Sequence, residues 1–215
     1  MNSQQPIRVM IADDHPLLRE GIAALIGSQS DMRLVAEAET GREAVERFRT
    51  VRPDVTVLDI QMPKMNGIEA LIAIRDEFPA AKVIILTTYE GDALAQRALK
   101  AGAYAYVLKS LVRQELFETI RAVRSGKKRI HPEVAASLAA HVGEDELSER
   151  ELEVLKLAAA GNSNKQIGAR LSISEHTIKG HMKRITEKLG ANDRTHAVML
   201  ALGRGILTSV VPPKD

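Results

Sequence analysis

The sequence predicts an α/β chain, a doubly wound parallel sheet of five strands followed by a smaller all-α domain. Three observations carry that expectation. Across residues 1–124 short apolar bursts alternate with segments of helical period, the pattern of parallel strands joined by right-handed crossovers with helices on both faces. From Leu147 onward the bursts stop and helix-start signals replace them. The length of 215 residues exceeds a typical domain of about 100 to 150, which fits two modest cores.

The bursts are Ile7 to Ala12, Leu34 to Ala38, Val55 to Leu58, Val83 to Leu86 and Tyr104 to Leu108, each long enough for one strand. Gly27, Gly41, Gly91 and Gly102 fall between elements, where glycine relieves turns or ends helices. Residues 125–146, SGKKRIHPEVAASLAAHVGEDE, read as a linker carrying one short helix, with Pro132 suited to its first turn and Lys127-Lys128-Arg129 as solvated charge. In the last segment, 147–215, Ser148 with Glu151 and Ser163 with Gln166 have the spacing for reciprocal capping, and Gly161 suits the end of the first helix. Helices are expected near 149–160, 164–171, 175–189 and 193–204.

Composition narrows the function classes. The chain is 45% hydrophobic with mixed charge and no cysteine, which excludes disulfides and thiolate metal sites. The start, MNSQQPIRVMIADD, lacks a basic region followed by an apolar core, and no apolar run approaches the roughly 20 residues of a membrane helix. A cytoplasmic protein is expected. Residues 1–124 hold 16 Lys+Arg against 17 Asp+Glu, 125–146 hold 3 against 4, and 147–215 hold 11 against 7, net +4. The basic surplus at the C-terminal end points to a polyanion partner there.

In an open parallel sheet, ligands bind beyond the carboxyl ends of the strands. The first burst ends on Asp13-Asp14, the third on Asp59, the fourth on Thr87 and the fifth on Lys109. Three carboxylates, a hydroxyl and an ammonium would thus gather in one crevice. Clustered carboxylates repel one another and favour a hard divalent cation such as Mg2+, and a lysine beside them suits a phosphoryl group. Asp59 would then serve as nucleophile, becoming an acyl phosphate. Taken singly the same residues read blandly: an acid after a strand is a turn former, Thr87 a strand residue and Tyr106 core.

The set as a whole, DD at 13 and 14, VLDIQMPKMNG around 59, ILTTY around 87 and AYVLKS around 109, resembles a response-regulator receiver domain. The resemblance implies a flavodoxin-like strand order, phosphorylation of Asp59 by a partner histidine kinase, and a Mg2+ site of Asp13, Asp14, Asp59 and the Gln61 main-chain carbonyl. It further implies that Thr87 and Lys109 contact the phosphoryl group, that Tyr106 is the switch aromatic, and that Gln61 and Tyr89 flank the path of the hydrolytic water. Ser110 stands after Lys109, where many receivers carry a cis-proline. An orphan regulator, whose receiver answers to a partner or ligand instead of phosphate, stays open as an alternative. An aspartyl-phosphate phosphohydrolase would need a second acid two positions after the nucleophile; Gln61 holds that position and cannot relay a proton, so no enzyme is expected.

His176 and His181 are five residues apart, about 140° around a helix, and share no ligand face. On the same helix Ile178, Met182, Ile185 and Leu189 form one apolar stripe, opposite His176, Gly180 and Lys183 with Lys179 and Arg184 alongside. Two short helices joined through Leu171-Ser172-Ile173-Ser174, the second with a basic outer face, fit a helix-turn-helix. Gly180 fits either close approach to DNA or simple tolerance at a cost of about 0.8 to 1 kcal/mol.

The words LSERELEVLKLAAAGNSNKQIGARLSISEHTIKGHMKRITEKLGANDRTHAV resemble the LuxR-type helix-turn-helix, and with the receiver the whole chain is similar to a NarL/FixJ-type response regulator. That resemblance implies DNA contacts from Lys179, Gly180 and Lys183, with Ser163 and Lys165 near phosphates and His181 used for packing or a backbone bond. It implies a two-half-site DNA, a homodimer formed on phosphorylation or DNA binding, and RNA polymerase as a further partner.

Overall fold

We describe the protein from a computed structural model, over residues 5–88, 92–130, 132, 135–136 and 147–207. The chain divides into two compact units.

In the first unit five bursts become strands: β1 (Ile7–Ala12), β2 (Met32–Ala38), β3 (Val55–Asp59), β4 (Val83–Thr87) and β5 (Ala105–Leu108). Helices α1 (Pro16–Gly27), α2 (Gly41–Val51), α3 (Gly67–Glu77), α4 (Asp92–Lys100) and α5 (Val112–Arg124) alternate with them. All pairings are parallel, in the order β2-β1-β3-β4-β5-β6. Five strands were expected and six are present, because β6 (Arg129–Ile130) pairs with β5 through Ala105↔Arg129 and Tyr106↔Ile130. Arg129 is therefore an edge-strand residue and not linker. Two residues carry too little alternation for a strand to be read from sequence. The short helix expected within 125–146 lies largely outside the described residues.

Strand alternation sorts the core. Val9, Ile11, Val57, Ile84, Leu86 and Val107 pack with Ile22 and Ile26 of α1 and Leu116, Ile120 and Val123 of α5. Residues of the other parity, Met10, Leu58, Ile85 and Tyr106, are buried toward the opposite face, which α2 and α3 cover. Side-chain caps set where the helices begin. Thr40 accepts from the Glu43 N–H at 3.2 Å, while Asn66 and Glu69 form a reciprocal box with both bonds at 2.9 Å.

The second unit is α6 (Glu149–Ala159), α7 (Asn164–Leu171), α8 (Glu175–Leu189) and α9 (Arg194–Gly203). Both predicted capping boxes form, Ser148 with Glu151 and Ser163 with Gln166. The apolar stripe Ile178, Met182, Ile185 and Leu189 is buried against Val154, Leu155, Ile167 and Ala197. Two polar anchors fix the helices to one another. Glu151, only 4% exposed, receives a hydrogen bond from Lys188 at 2.9 Å, and the Arg194 guanidinium donates to the Ala158 and Asn162 carbonyls and the Asn164 side chain.

The turn between α7 and α8 closes on a glycine. A Cβ built on Gly168 would lie 2.7 Å from the Ile173 carbonyl oxygen, whose own N–H bonds back to Gly168 O at 3.0 Å. A Cβ on Gly180 would meet nothing within 4 Å. Gly180→Ala should therefore raise stability by about 0.8 to 1 kcal/mol, whereas Gly168→Ala should lower it by about 1 to 3 kcal/mol through overpacking. Urea denaturation of the two variants checks the contrast; equal shifts would contradict it.

Candidate functional site

The strand ends place the chemistry. Asp13 follows β1 directly, Asp59 is the last residue of β3, Thr87 the last of β4, and Lys109 opens a 3-10 turn after β5. The parallel register, Ala12↔Leu58, Asp59↔Leu86 and Thr87↔Leu108, brings these ends to one edge of the sheet. Lys109 Nζ lies 2.8 Å from Asp13 Oδ2 and 2.8 Å from Asp59 Oδ2. Asp13 and Asp59 are 0% and 1% exposed, while the Asp14 side chain is 34% exposed at the rim.

Burial pushes the Asp59 carboxyl up to about 6, and the nearby Asp13 charge adds to this. The Lys109 bond and charge, and a bond from the Gln61 backbone N–H, oppose the shift without cancelling it. Burial alone would lower Lys109, but its bonds to Asp13 and Asp59 reverse the direction and keep it a cation. Tyr106, 1% exposed, shares a hydrogen bond with the Thr87 side chain, and burial pushes its phenol up to about 12. The sequence-predicted residues Asp13, Asp14, Asp59 and Lys109 thus meet directly, and Thr87 and Tyr106 form a bonded pair on the two adjoining strands. Peptide bonds among the described residues are all trans, Lys109–Ser110 included. Tyr89 lies outside the described residues.

The loop after Asp59 is clamped by two glycines. A Cβ on Gly67 would lie 2.0 Å from the Asp59 carbonyl oxygen, and one on Gly41 would lie 2.4 Å from the Met65 carbonyl oxygen. Gly67 N–H bonds to Ile60 O at 2.9 Å, and Lys64 takes a left-handed conformation (φ 69°) between them. The Pro63–Gly67 spacing marks a turn in sequence; that Gly67 touches the Asp59 backbone emerges only in three dimensions.

Asp13, Asp14, His15 and Asp59 each offer a ligand atom, and these atoms lie within 4.8 Å of one another. The buried Oδ2 atoms of Asp13 and Asp59 are held by Lys109 at 2.8 Å and have no other hydrogen-bond partner among the described residues. Oxygen donors that lack full hydrogen-bond satisfaction fit a divalent cation. Sequence reasoning passed over His15, whose ring Nδ1 lies 2.7 Å from Asp14 Oδ1 and 3.1 Å from Asp13 Oδ1. Adjacency to Asp13-Asp14 was the available signal.

In the second unit α8 presents the basic face. Lys179 and Lys183 are 64% and 78% exposed, each beside a glutamate one turn away, Glu175 at 3.2 Å and Glu187 at 3.8 Å. Gly180 and Arg184 are exposed between and beside them, and Ser163 and Lys165 are exposed at the start of α7. The Ser163 hydroxyl is engaged as the cap of α7. His181 is half-buried with an Nδ1 that has no hydrogen-bond partner among the described residues, which accords with packing.

Comparison with known proteins agrees with this geometry. A family model of the response regulator receiver domain matches residues 9–121, and one of bacterial regulatory proteins of the luxR family matches residues 145–201. The chain is 35% identical to the transcriptional regulatory protein DegU of Brevibacillus brevis, over 94% of this chain and 96% of that protein. It is 38% identical to the uncharacterized transcriptional regulatory protein YxjL of Bacillus subtilis, over 95% and 99%. Among solved structures it is similar to RcsB from Salmonella enterica serovar Typhimurium bound to a promoter with a phosphomimetic, with a TM-score of 0.72, 28% identity, and 93% and 99% of the two chains covered. The chain belongs to the two-component response regulators that join a receiver to a LuxR-type helix-turn-helix, the NarL/FixJ type. Its relatives are DNA-binding transcription regulators. No described helix is long and apolar enough to cross a membrane.

The raised Asp59 value has a consequence for stability. The native state holds this proton more tightly than the unfolded chain does, so stability present below 3.8 is lost as pH rises through about 6. Asp59→Asn carries no such charge. Without added metal its stability relative to wild type should rise across that window, by up to about 3 kcal/mol, and stay level above it. Urea midpoints of both proteins at stepped pH test this, and parallel profiles would contradict it.

Proposed function

We propose that the chain is a cytoplasmic transcription regulator switched by phosphorylation of Asp59, with a receiver that extends through the edge strand at Arg129–Ile130, a connecting segment after it and a DNA-binding domain over 147–215. A sensor histidine kinase is the phosphodonor. The observation that carries the reading is the pair of buried carboxylates bridged by Lys109 at the carboxyl edge of the parallel sheet.

Asp59 attacks the phosphorus through a carboxylate oxygen; the bond from phosphorus to the donor breaks, and the donor leaves with the electron pair. Lys109, close to Asp59 and cationic, receives the phosphoryl oxygens. Asp13, Asp14, Asp59 and the Gln61 carbonyl would hold Mg2+, which would supply further neutralisation of the charge on those oxygens. Thr87, at the end of the neighbouring strand, turns toward the new group, and its bond to Tyr106 passes the change outward. Ligation shifts an equilibrium only if it interacts differently with two conformations, and this pair is the element that distinguishes them. Gln61 cannot act as the second acid of a phosphohydrolase, so the output is binding and not turnover.

DNA binding is assigned to Lys179, Gly180 and Lys183 on α8, with Ser163 and Lys165 at the backbone of the duplex, and RNA polymerase is a further partner of the bound complex. One recognition helix makes few base contacts. A homodimer reads two half-sites and gains affinity through effective concentration. The similar RcsB is described as two dimers bound to two parallel DNAs, which supports this arrangement.

Phosphorylation should tighten binding to a two-half-site DNA far more than to a single half-site. Lys183→Ala should weaken binding in both phosphorylation states. If Lys183 contacts phosphate alone, the loss is similar across sequences and the salt slope falls by about one. Affinity measured against salt for both states and both DNA designs is the test. Identical affinities with and without phosphate on every DNA would refute the coupling and favour an orphan regulator controlled by a partner or ligand.

A further inference from the structure

We propose that His15 is a side-chain ligand of the receiver's cation site, giving that site a nitrogen donor and a preference for first-row transition ions such as Mn2+ over Mg2+. The inference rests on reading Asp13, Asp14 and Asp59 as a metal site.

His15 occupies the residue before α1, in an extended conformation (φ −94°, ψ 106°), where Ser, Thr, Asp or Asn would cap the helix. Its side chain makes no cap bond, and Pro16, which has no N–H, opens the helix in its place. The helix therefore does not account for the imidazole. The main chain sets its position instead: the His15 N–H donates to Asp13 Oδ1 at 2.9 Å, which turns the residue back onto the acid two positions earlier. Nδ1 then lies 3.1 Å from Asp13 Oδ1 and 2.7 Å from Asp14 Oδ1.

The two oxygens of Asp13 divide the site. Oδ2 is shared with Lys109, at 2.8 Å, and Oδ1 with His15. An ion bound at Oδ1 thus meets the imidazole on one side and the carboxylates of Asp14 and Asp59 on the other, while Lys109 stays on the Oδ2 side. The four ligand atoms lie within 4.8 Å of one another, and bonds of about 2.0 to 2.2 Å to a common centre need only a small contraction from there. The buried Oδ2 atoms of Asp13 and Asp59 have Lys109 as their one partner among the described residues, so each keeps lone-pair capacity that a further cation can use. The His15 side chain is 62% exposed, and coordination through Nδ1 would replace the contacts this atom makes with the Asp13 and Asp14 carboxylates. An all-oxygen site suits Mg2+; adding imidazole favours transition ions, whose affinity for mixed nitrogen and oxygen sites exceeds that of the harder cation.

The test uses the full chain with Mn2+ alone and Mg2+ alone. Calorimetric titration gives both affinities for wild type, His15→Ala and His15→Gln, and pulsed electron paramagnetic resonance of bound Mn2+ detects a directly coordinated imidazole nitrogen. Wild type should show the nitrogen coupling, both variants should lose it, and the Mn2+-over-Mg2+ preference should fall on the order of tenfold or more. Mn2+ bound in wild type without imidazole coupling, or a preference unchanged in both variants, would overturn the role of His15 while leaving the metal site standing. Failure of either ion to bind wild type would overturn the metal site itself, and this inference with it.

Discussion

Lys109 makes it tolerable for two carboxylates to be buried side by side. Asp13 and Asp59 are almost wholly removed from water, and the ammonium at 2.8 Å from each is the charge that offsets them. Removing one partner from a buried ion pair costs about 3 to 5 kcal/mol, because the remaining charge is stranded. The balance is still incomplete, since two anions face one cation. Burial, with the Asp13 charge beside it, keeps the Asp59 carboxyl up at about 6, and the surplus anion leaves the cluster receptive to a further cation. The local architecture serves this arrangement: β1 and β3 deliver the acids, the turn after β5 delivers the lysine, and Gly67 lets α3 begin against the Asp59 backbone.

The link from this cluster to the rest of the receiver is short. Thr87 ends the strand beside Asp59, and Tyr106 is bonded to it from the next strand over, buried within the same sheet. In the proposed mechanism, moving the threonine toward a phosphoryl group would break or remake one hydrogen bond to a large, fully packed ring. Packed interiors respond to such changes by switching between arrangements more readily than by deforming continuously. The DNA-binding unit has the opposite character. Glu151 with Lys188 and Arg194 with the α6–α7 turn tie its helices into a rigid platform, so that α8 presents its lysines on a fixed scaffold.

Most of the fold was legible because its signals are local. Five apolar bursts and two capping boxes need only a few neighbouring residues to be recognised, and the stripe from Ile178 to Leu189 needs only the helical period. The sixth strand failed that criterion, since Arg129–Ile130 is defined by its pairing to β5 and not by any pattern of its own. The site followed the same division. Asp13, Asp59, Thr87 and Lys109 could be anticipated because each ends a strand and parallel strands share an edge. The tight approaches at Gly67 and Gly168 depend on which backbone lies a few ångströms away, which no spacing in the sequence encodes, whereas His15 was signalled by its adjacency to Asp13-Asp14.

The central claim is that, of the clustered acids, Asp59 alone is the nucleophile. Incubation of the full chain with a small phosphodonor and Mg2+, followed by borohydride reduction of the acyl phosphate and peptide mass mapping, assigns the modified carboxylate directly. Reduction is expected at Asp59 and at no other acid, dependent on the divalent ion. Reduction at Asp13 or Asp14, or an unmodified Asp59 under conditions that phosphorylate a related receiver, would contradict it.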